Sequence, residues 1–399
     1  MGPFSFLLPR HCNFAAYQSL FVMLNRRTLR IKIMQSLFAY DQCREADYQL
    51  AFEHIDSRFQ PDLNSMEVQD KELLGKQRKA AKQLFEKKFR KSETPDHEEK
   101  IINTVVKEAF ELYTKMLKKD FLFFSKNTVT EVEKLTDIYY SVLGLIPALA
   151  EVAITDKKIK HDNFFNNRYV KAIANNSELT KELLKSDSGW QNRQDKVRGW
   201  FRDVLKADDT YMKFLDIRKP DEESEKAVVK HLTRKLILAG GPISDYLEEE
   251  NIRWAEDKDI IKGLVDKTIK SFNSAAGKIE LQKLSLDWED DKEFIMTLFA
   301  NSVNLAPEYK ELIAKNTKNW EVDRLPLTDR VILEMAIAEL ISFPSIPVKV
   351  SINEYIELTK EYSTPNSRQF INGILDVISK ELKSTGSLRK SGRGLIDNK

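Results

Sequence analysis

The sequence predicts an all-α protein, and three observations predict it. Thirteen glycines and twelve prolines in 399 residues are about half of average usage, too few backbone breakers for a turn-rich β fold. Hydrophobic residues make up 42% and charged residues 32%, enough apolar material for a sizeable core and too much for wholesale disorder. Apolar side chains recur at spacings of three and four along most of the chain. At about 150 residues per domain, the length allows two or three domains, or one core with a large insertion.

The elements follow in order. Met1 to Val22 is apolar and aromatic, with Arg10 and His11 in its middle. It reads as a loose extension, residues 1–22, before the organised sequence that starts at Met23. A secretory signal wants its charge ahead of the apolar stretch, and this segment fits that poorly. Met23 to Gln42 is an amphipathic helix with Leu29, Ile33, Leu37 and Tyr40 on one face. Arg26, Arg27, Arg30 and Lys32 crowd its first half without an acid among them. Cations at a helix N-terminus oppose the macrodipole. The cluster is therefore either a polyanion site or a solvated basic face, and the residues alone leave both open.

Lys71 to Lys91 is a basic helix with Leu73, Leu74, Leu84, Phe85 and Phe89 as its apolar stripe; it reads first as a solvated face. Ser92 to Asp96, containing Pro95, ends it. Two long helices follow, Ile101 to Phe124 and Val129 to Ile154, with Phe121, Phe123 and Phe124 expected in the core. The longest apolar run, Val142 to Ile154, is interrupted by Gly144, Pro147 and Glu151, so no run reaches the ~18 residues of a membrane span. It reads as a buried helix bent at Pro147. Residues 156–209 are more irregular, with helices near 169–185 and 191–206. Lys226 to Ala239 is helical, and Gly240-Gly241-Pro242 breaks it without forming a phosphate loop. Trp254 to Ile261 resembles Trp288 to Ile295, and each gathers acids where a helix starts, which predicts two related hairpins with the tryptophans as core anchors.

In the last third, Arg324-Leu-Pro326 is a turn and Thr328 can cap a helix whose inner face is Val331, Ile332, Met335, Ala336 and Leu340. Ser351-Ile-Asn-Glu354 has capping-box spacing and opens a helix to Lys360. Ser363-Thr364-Pro365 starts another helix, with Phe370, Ile371, Ile374, Leu375 and Ile378 buried. Gly373 inside it costs about 1 kcal/mol relative to Ala, which a close helix crossing would justify. Residues 384–399 are Gly/Ser-rich and basic, a disordered tail by composition.

Composition limits the function classes. A net charge of +2 gives no bulk attraction to nucleic acid, so a basic site must come from local clustering. Cys12 and Cys43 are the only cysteines, which excludes a disulfide framework and a Cys-rich zinc site. The five histidines (His11, His54, His97, His161 and His231) are scattered, so no metal and no cofactor is expected. The chain reads as a reduced, cytoplasmic protein.

Ile346 to Lys360 (IPVKVSINEYIELTK), Ser367 to Asp376 (SRQFINGILD) and Asp329 to Leu340 (DRVILEMAIAEL) resemble the signature of the NusB family. Arg26-Arg27-Thr-Leu-Arg30 with Met34-Gln-Ser-Leu-Phe38 resembles that family's opening helix. The resemblance covers residues 23–45 and 286–383 and implies a NusB-like helical bundle with residues 46–285 as a helical insertion. It also implies a non-enzymatic transcription antitermination factor. Such a factor binds boxA-type single-stranded leader RNA of rRNA operons with NusE, a small-subunit ribosomal protein, and acts with RNA polymerase away from membranes. A homodimer over the partner surface is the expected alternative when the protein is free.

Carried over by position, Arg26, Arg27 and Arg30, with Lys32 beside them, become phosphate contacts, which are sequence-independent and salt-sensitive. Phe38 stands where the family commonly has tyrosine and keeps a ring for packing or stacking. Tyr362, an aromatic between two helices, suits an unpaired base. Asn366 stands where an acid is often found near the RNA and NusE surface, and Glu334 where a basic residue is common, which implies an altered surface pair. Phe370, Gly373, Ile374 and Leu375 read as packing residues, Asn353 and Glu354 as helix-start residues, and Asn372 as a bond to neighbouring backbone. Two rival functions share the fold: an RNA-binding scaffold for rRNA processing or ribosome assembly, and a protein-interaction module working through the insertion.

Overall fold

A computed structural model of the chain describes residues 24–62, 64, 68–91, 94–317 and 325–398. The extension 1–22 and the turn at Arg324 lie outside the described residues. All regular structure among the described residues is helical, apart from one isolated bridge between Asn273 and Lys278. The chain divides into two compact units: a bundle unit of residues 27–130 and 289–399, and an inserted unit of residues 24–26 and 131–288. The sequence expected to form one insertion, 46–285, is thus shared: its part up to Thr130 belongs to the bundle unit.

The bundle unit opens with α1 (Arg26–Arg58), α2 (Lys71–Arg90) and the first half of α3 (Lys100–Ile154). Asp70 caps α2 by accepting from the backbone N–H groups of Glu72 and Leu73. Ala51 and Ile55 of α1 with Phe59 just beyond its end, Ala81, Leu84 and Phe85 of α2, and Ile102, Val105, Val106, Ala109 and Tyr113 of α3 share one core. Phe85 sits at its centre, with ring centroids 4.5 Å from Phe110, 5.2 Å from Phe52 and 5.6 Å from Tyr48. Such pairs add roughly 0.5–1.5 kcal/mol each beyond burial.

α3 is one continuous helix where two were expected. No glycine or proline stands between Phe124 and Val129, and the buried Thr128 hydroxyl donates to the Phe124 carbonyl one turn back. Phe121 and Phe124 pack on Tyr40, as core residues should, but Phe123 is more than half exposed. Contrary to expectation, α3 is also long and apolar enough to cross a membrane by length and composition: its most apolar 18-residue window has mean hydropathy 1.5, with 67% of it buried inside the protein.

The bundle unit continues with α12 (Trp288–Val303), α13 (Pro307–Asn316), α14 (Leu327–Ser342), α15 (Val348–Tyr362) and α16 (Ser367–Ser384). α14 is buried nearly all round, from Val331 to Leu340, with α15 and α16 packed on it. Two local expectations fail here. Ser351 lies inside α15, whose N-cap is Pro347, so the capping box does not form. The chain after α16, expected as a disordered tail, packs back: Lys390 Nζ donates to the Leu340 and Phe343 carbonyls, and the Ser391 N–H to Pro344 O. A 3-10 turn at Gly392–Asn398 follows.

The inserted unit holds α4 to α11: Asp162–Phe165, Arg168–Ala174, Ser177–Lys185, Gln194–Trp200, Asp209–Leu215, Glu222–His231, Pro242–Glu250 and Trp254–Lys270. Gly241, at φ 88°, precedes Pro242 in a backbone conformation that favours glycine. Trp254 opens α11 and is buried, its indole N–H donating to Ser244 Oγ at 3.1 Å. His161 is buried, with Nδ1 2.7 Å from the Tyr211 hydroxyl and Nε2 3.3 Å from Asp156, which also accepts from Lys206. Among the described residues no cluster of three or more His, Cys, Asp or Glu side chains could hold a metal ion.

Candidate nucleic-acid interface

The candidate site is built from the start of α1, the face of α15 and the α15–α16 junction. The cations that open α1 find acids far along the chain. Arg27 makes a two-pronged pair with Glu354 of α15, Nε to Oε2 at 2.9 Å and Nη2 to Oε1 at 3.0 Å. Its side chain keeps 40% exposure. The hydrogen bond to Glu354, aided by Glu357 and Glu361, holds its pKa above the ordinary arginine value.

Arg30 is different. It is 2% exposed, and its Nε and Nη2 donate to the two oxygens of Glu339 on α14, both at 2.7 Å. Glu339 is buried too and accepts from Ser351 Oγ at 2.7 Å and Tyr355 Oη at 2.9 Å. The Arg30 guanidinium lies 5.6 Å from the Phe294 ring centroid and 5.9 Å from that of Tyr355. Burial opposes its charge, yet the Glu339 carboxylate raises its pKa on balance. Arg30 therefore corrects the expectation of a phosphate contact: both prongs are spent on a buried carboxylate. Lys32 is equally buried, which removes it from a surface a phosphate could reach. Arg26, half-buried, opens the helix.

The remaining expected residues are accessible to different degrees. Phe38 is 39% exposed, about 16 Å along the α1 axis from Arg27. Tyr362 ends α15 half-buried, and Asn366 is exposed at the N-cap of α16 without capping through its side chain. Buried Asp329 positions this junction, accepting from Ser363 Oγ and, at 2.7 Å, from Ser367 Oγ. Arg368 is exposed on the first turn of α16; the hydrogen bond from Lys360, with smaller pulls from Arg27 and Arg368, holds the Glu357 carboxyl below its ordinary range.

Three further readings change. Glu354 serves as the partner of Arg27 rather than as a helix-start residue. Glu334 is no surface pair; desolvation raises its carboxyl pKa against the opposing pull of Lys310 and Arg330. Gly373 is not explained by a close helix crossing, since a Cβ there would meet nothing within 4 Å. It lines a shallow groove of about 340 Å³ with Lys349, Ile352, Asn353, Asn372 and Asp376. Glu339 and Asp329 were the legible omissions, because an acid inside an apolar helix stripe signals a buried polar partner.

The fold and site define an all-helical bundle whose opening helix is clamped by buried and half-buried arginine–glutamate pairs. Residues 259–380 match the NusB family, and this part of the chain is a NusB-family domain. The transcription antitermination protein NusB of Chloroherpeton thalassium is 44% identical over 106 residues, 27% of this chain and 50% of that protein. That of Salinibacter ruber is 44% identical over 105 residues, covering 26% and 66%, and that of Koribacter versatilis 39% over 94 residues, covering 24% and 64%. The chain thus spans half to two thirds of the length of these curated relatives. No solved structure matches the chain significantly.

Proposed function

We propose that this chain is an RNA-binding transcription antitermination factor that catalyses no reaction. In this reading it is cytoplasmic, binds boxA-type leader RNA of rRNA operons together with NusE, and acts with RNA polymerase. The observation that carries the reading is the NusB-family domain at residues 259–380, in which the curated relatives are named transcription antitermination proteins. The α1–α15 clamp supports it, because Arg27 stays part-exposed while Arg30 fixes the helix beneath it. Arg26 and Arg27 supply phosphate contacts, Phe38 and Tyr362 supply rings, and Asn366 supplies an amide that donates and accepts. Arg30 and Lys32 support that face from inside.

The test is transcription in vitro on a template with a boxA leader followed by a terminator. Added chain and NusE should raise read-through, and a scrambled boxA should abolish the gain. Unchanged read-through despite tight RNA binding would move the function to rRNA processing or ribosome assembly.

A further inference from the structure

Within α2 and the residue that follows, Lys71 to Lys91, there are nine Lys or Arg and two acids. That is a local charge of +7 in a chain whose total is +2, so the rest of the chain sums to −5. The stripe Lys76, Lys79, Gln83, Lys87 and Arg90 recurs at spacings of three and four, hence on one helix face, over about 21 Å. The opposite face, Ala81, Leu84 and Phe85, is buried in the core shared with α1 and α3.

Local acids engage only some of the cations: Lys76 pairs with Glu72, Lys82 and Arg78 with Asp56, and Lys88 with Asp96. Among the described residues, Lys71, Lys79, Lys87, Arg90 and Lys91 are exposed with no acid within 4 Å. Dipole compensation accounts for cations in the last turn but not for Lys71, Lys76 and Lys79 in the first half. Beside Arg90, the Phe89 ring is 45% exposed and is braced 4.7 Å from Tyr48 and 5.5 Å from Tyr113. A rigid cationic stripe with an aromatic at its edge is the chemistry of a single-stranded nucleic-acid track. A bilayer fits less well, because the apolar face of α2 is already spent on the core.

We infer that the outer face of α2 is a second, sequence-independent contact for the phosphate backbone of single-stranded RNA. It rests on the RNA-binding reading and extends the footprint beyond the NusB-family domain, onto the part of the bundle unit outside residues 259–380.

The test uses the full chain and a labelled 20-nucleotide oligouridylate, which needs neither boxA nor NusE. Two variants are compared with wild type: Lys79→Glu/Lys87→Glu/Arg90→Glu, and the milder Lys79→Gln/Lys87→Gln/Arg90→Gln. All three positions are exposed, and unchanged helix content by circular dichroism verifies folding. Three lost phosphate contacts at a slope of about 0.7 each flatten the salt dependence by about 2. Between 50 and 200 mM salt, wild type should therefore lose about 18-fold more affinity than the charge-reversed variant. The glutamine variant should fall between, and a short boxA-like RNA with NusE should bind all three alike. That pattern with oligouridylate supports the α2 contact even if boxA binding fails. Oligouridylate bound equally by all three proteins, or by none, overturns it, as does capture of phosphatidylserine vesicles in place of RNA.

Discussion

Arg30→Ala should destabilise the bundle unit's centre rather than trim an RNA contact. The substitution leaves Glu339, fully buried, with the Ser351 and Tyr355 hydroxyls as its only side-chain donors among the described residues. Removing one partner of a buried ion pair costs about 3–5 kcal/mol, because the other charge stays buried without compensation. Against the 5–15 kcal/mol of a typical domain, that is a large fraction. Tyr355→Phe removes one hydrogen bond to the same carboxylate and should cost about 1.5–3 kcal/mol.

Arg30→Met combined with Glu339→Gln removes both charges and keeps one acceptor oxygen, while the new amide N–H can donate to the other of the Ser351 and Tyr355 hydroxyls, so it should return to within about 2 kcal/mol of wild type. Trp190, Trp200 and Trp254 lie within the inserted unit, Trp288 at its boundary and Trp320 outside the described residues, so fluorescence chiefly follows the wrong unit. The assay is therefore urea-dependent hydrogen exchange read by mass spectrometry on peptides from α14 and α15. A loss below about 1 kcal/mol for Arg30→Ala, together with a tenfold loss of RNA affinity, would refute the reasoning and return Arg30 to the RNA surface.

Other outcomes follow from the same structure. Burial raises the Glu334 carboxyl pKa, so its charged form weakens the fold; Glu334→Gln should raise the melting temperature at pH 7, and the gain should vanish as acid protonates the wild-type carboxyl. His161 goes the other way. Burial pushes its imidazole below the ordinary 6.5, so the unfolded chain takes up the proton first, and the inserted unit should lose stability as pH falls below that value. Fluorescence of Trp190, Trp200 and Trp254 reads this, and His161→Gln should flatten the slope. Phe85→Ala should destabilise the α1–α2–α3 core by about 3–5 kcal/mol, measured by exchange in α2 peptides.

The helical class was legible because it depends on local terms: scarce breakers and apolar spacings of three and four. Where two local signals competed, the reading slipped. Ser125 to Thr128 looked like a joint, but nothing there forbids α-helix, and Thr128 satisfies its hydroxyl on the helix itself. Ser351 and Glu354 had capping-box spacing, yet their partners are Glu339 and Arg27. The basic start of α1 looked like an unpaid opposition to the macrodipole, which a polyanion would relieve. The relief for Arg30 instead comes from an acid 309 residues away, a distance no local rule spans. The tail shows the same limit, since its Gly/Ser-rich composition predicts disorder while Lys390 and Ser391 hydrogen-bond carbonyls at and beyond the end of α14. Family motifs located the bundle helices; the burial that separates Arg27 from Arg30 required the three-dimensional packing.

The most direct test of the central claim is fluorescence anisotropy of a labelled boxA-like RNA at two salt concentrations, with and without NusE. Wild type is compared with Arg26→Ala/Arg27→Ala, a variant that leaves the buried Arg30–Glu339 pair intact. The account predicts tight binding that needs NusE, weakens with salt, and in the variant loses affinity together with about 1.4 of the salt slope. Absence of binding under every condition, or binding that the variant leaves unchanged, would contradict it.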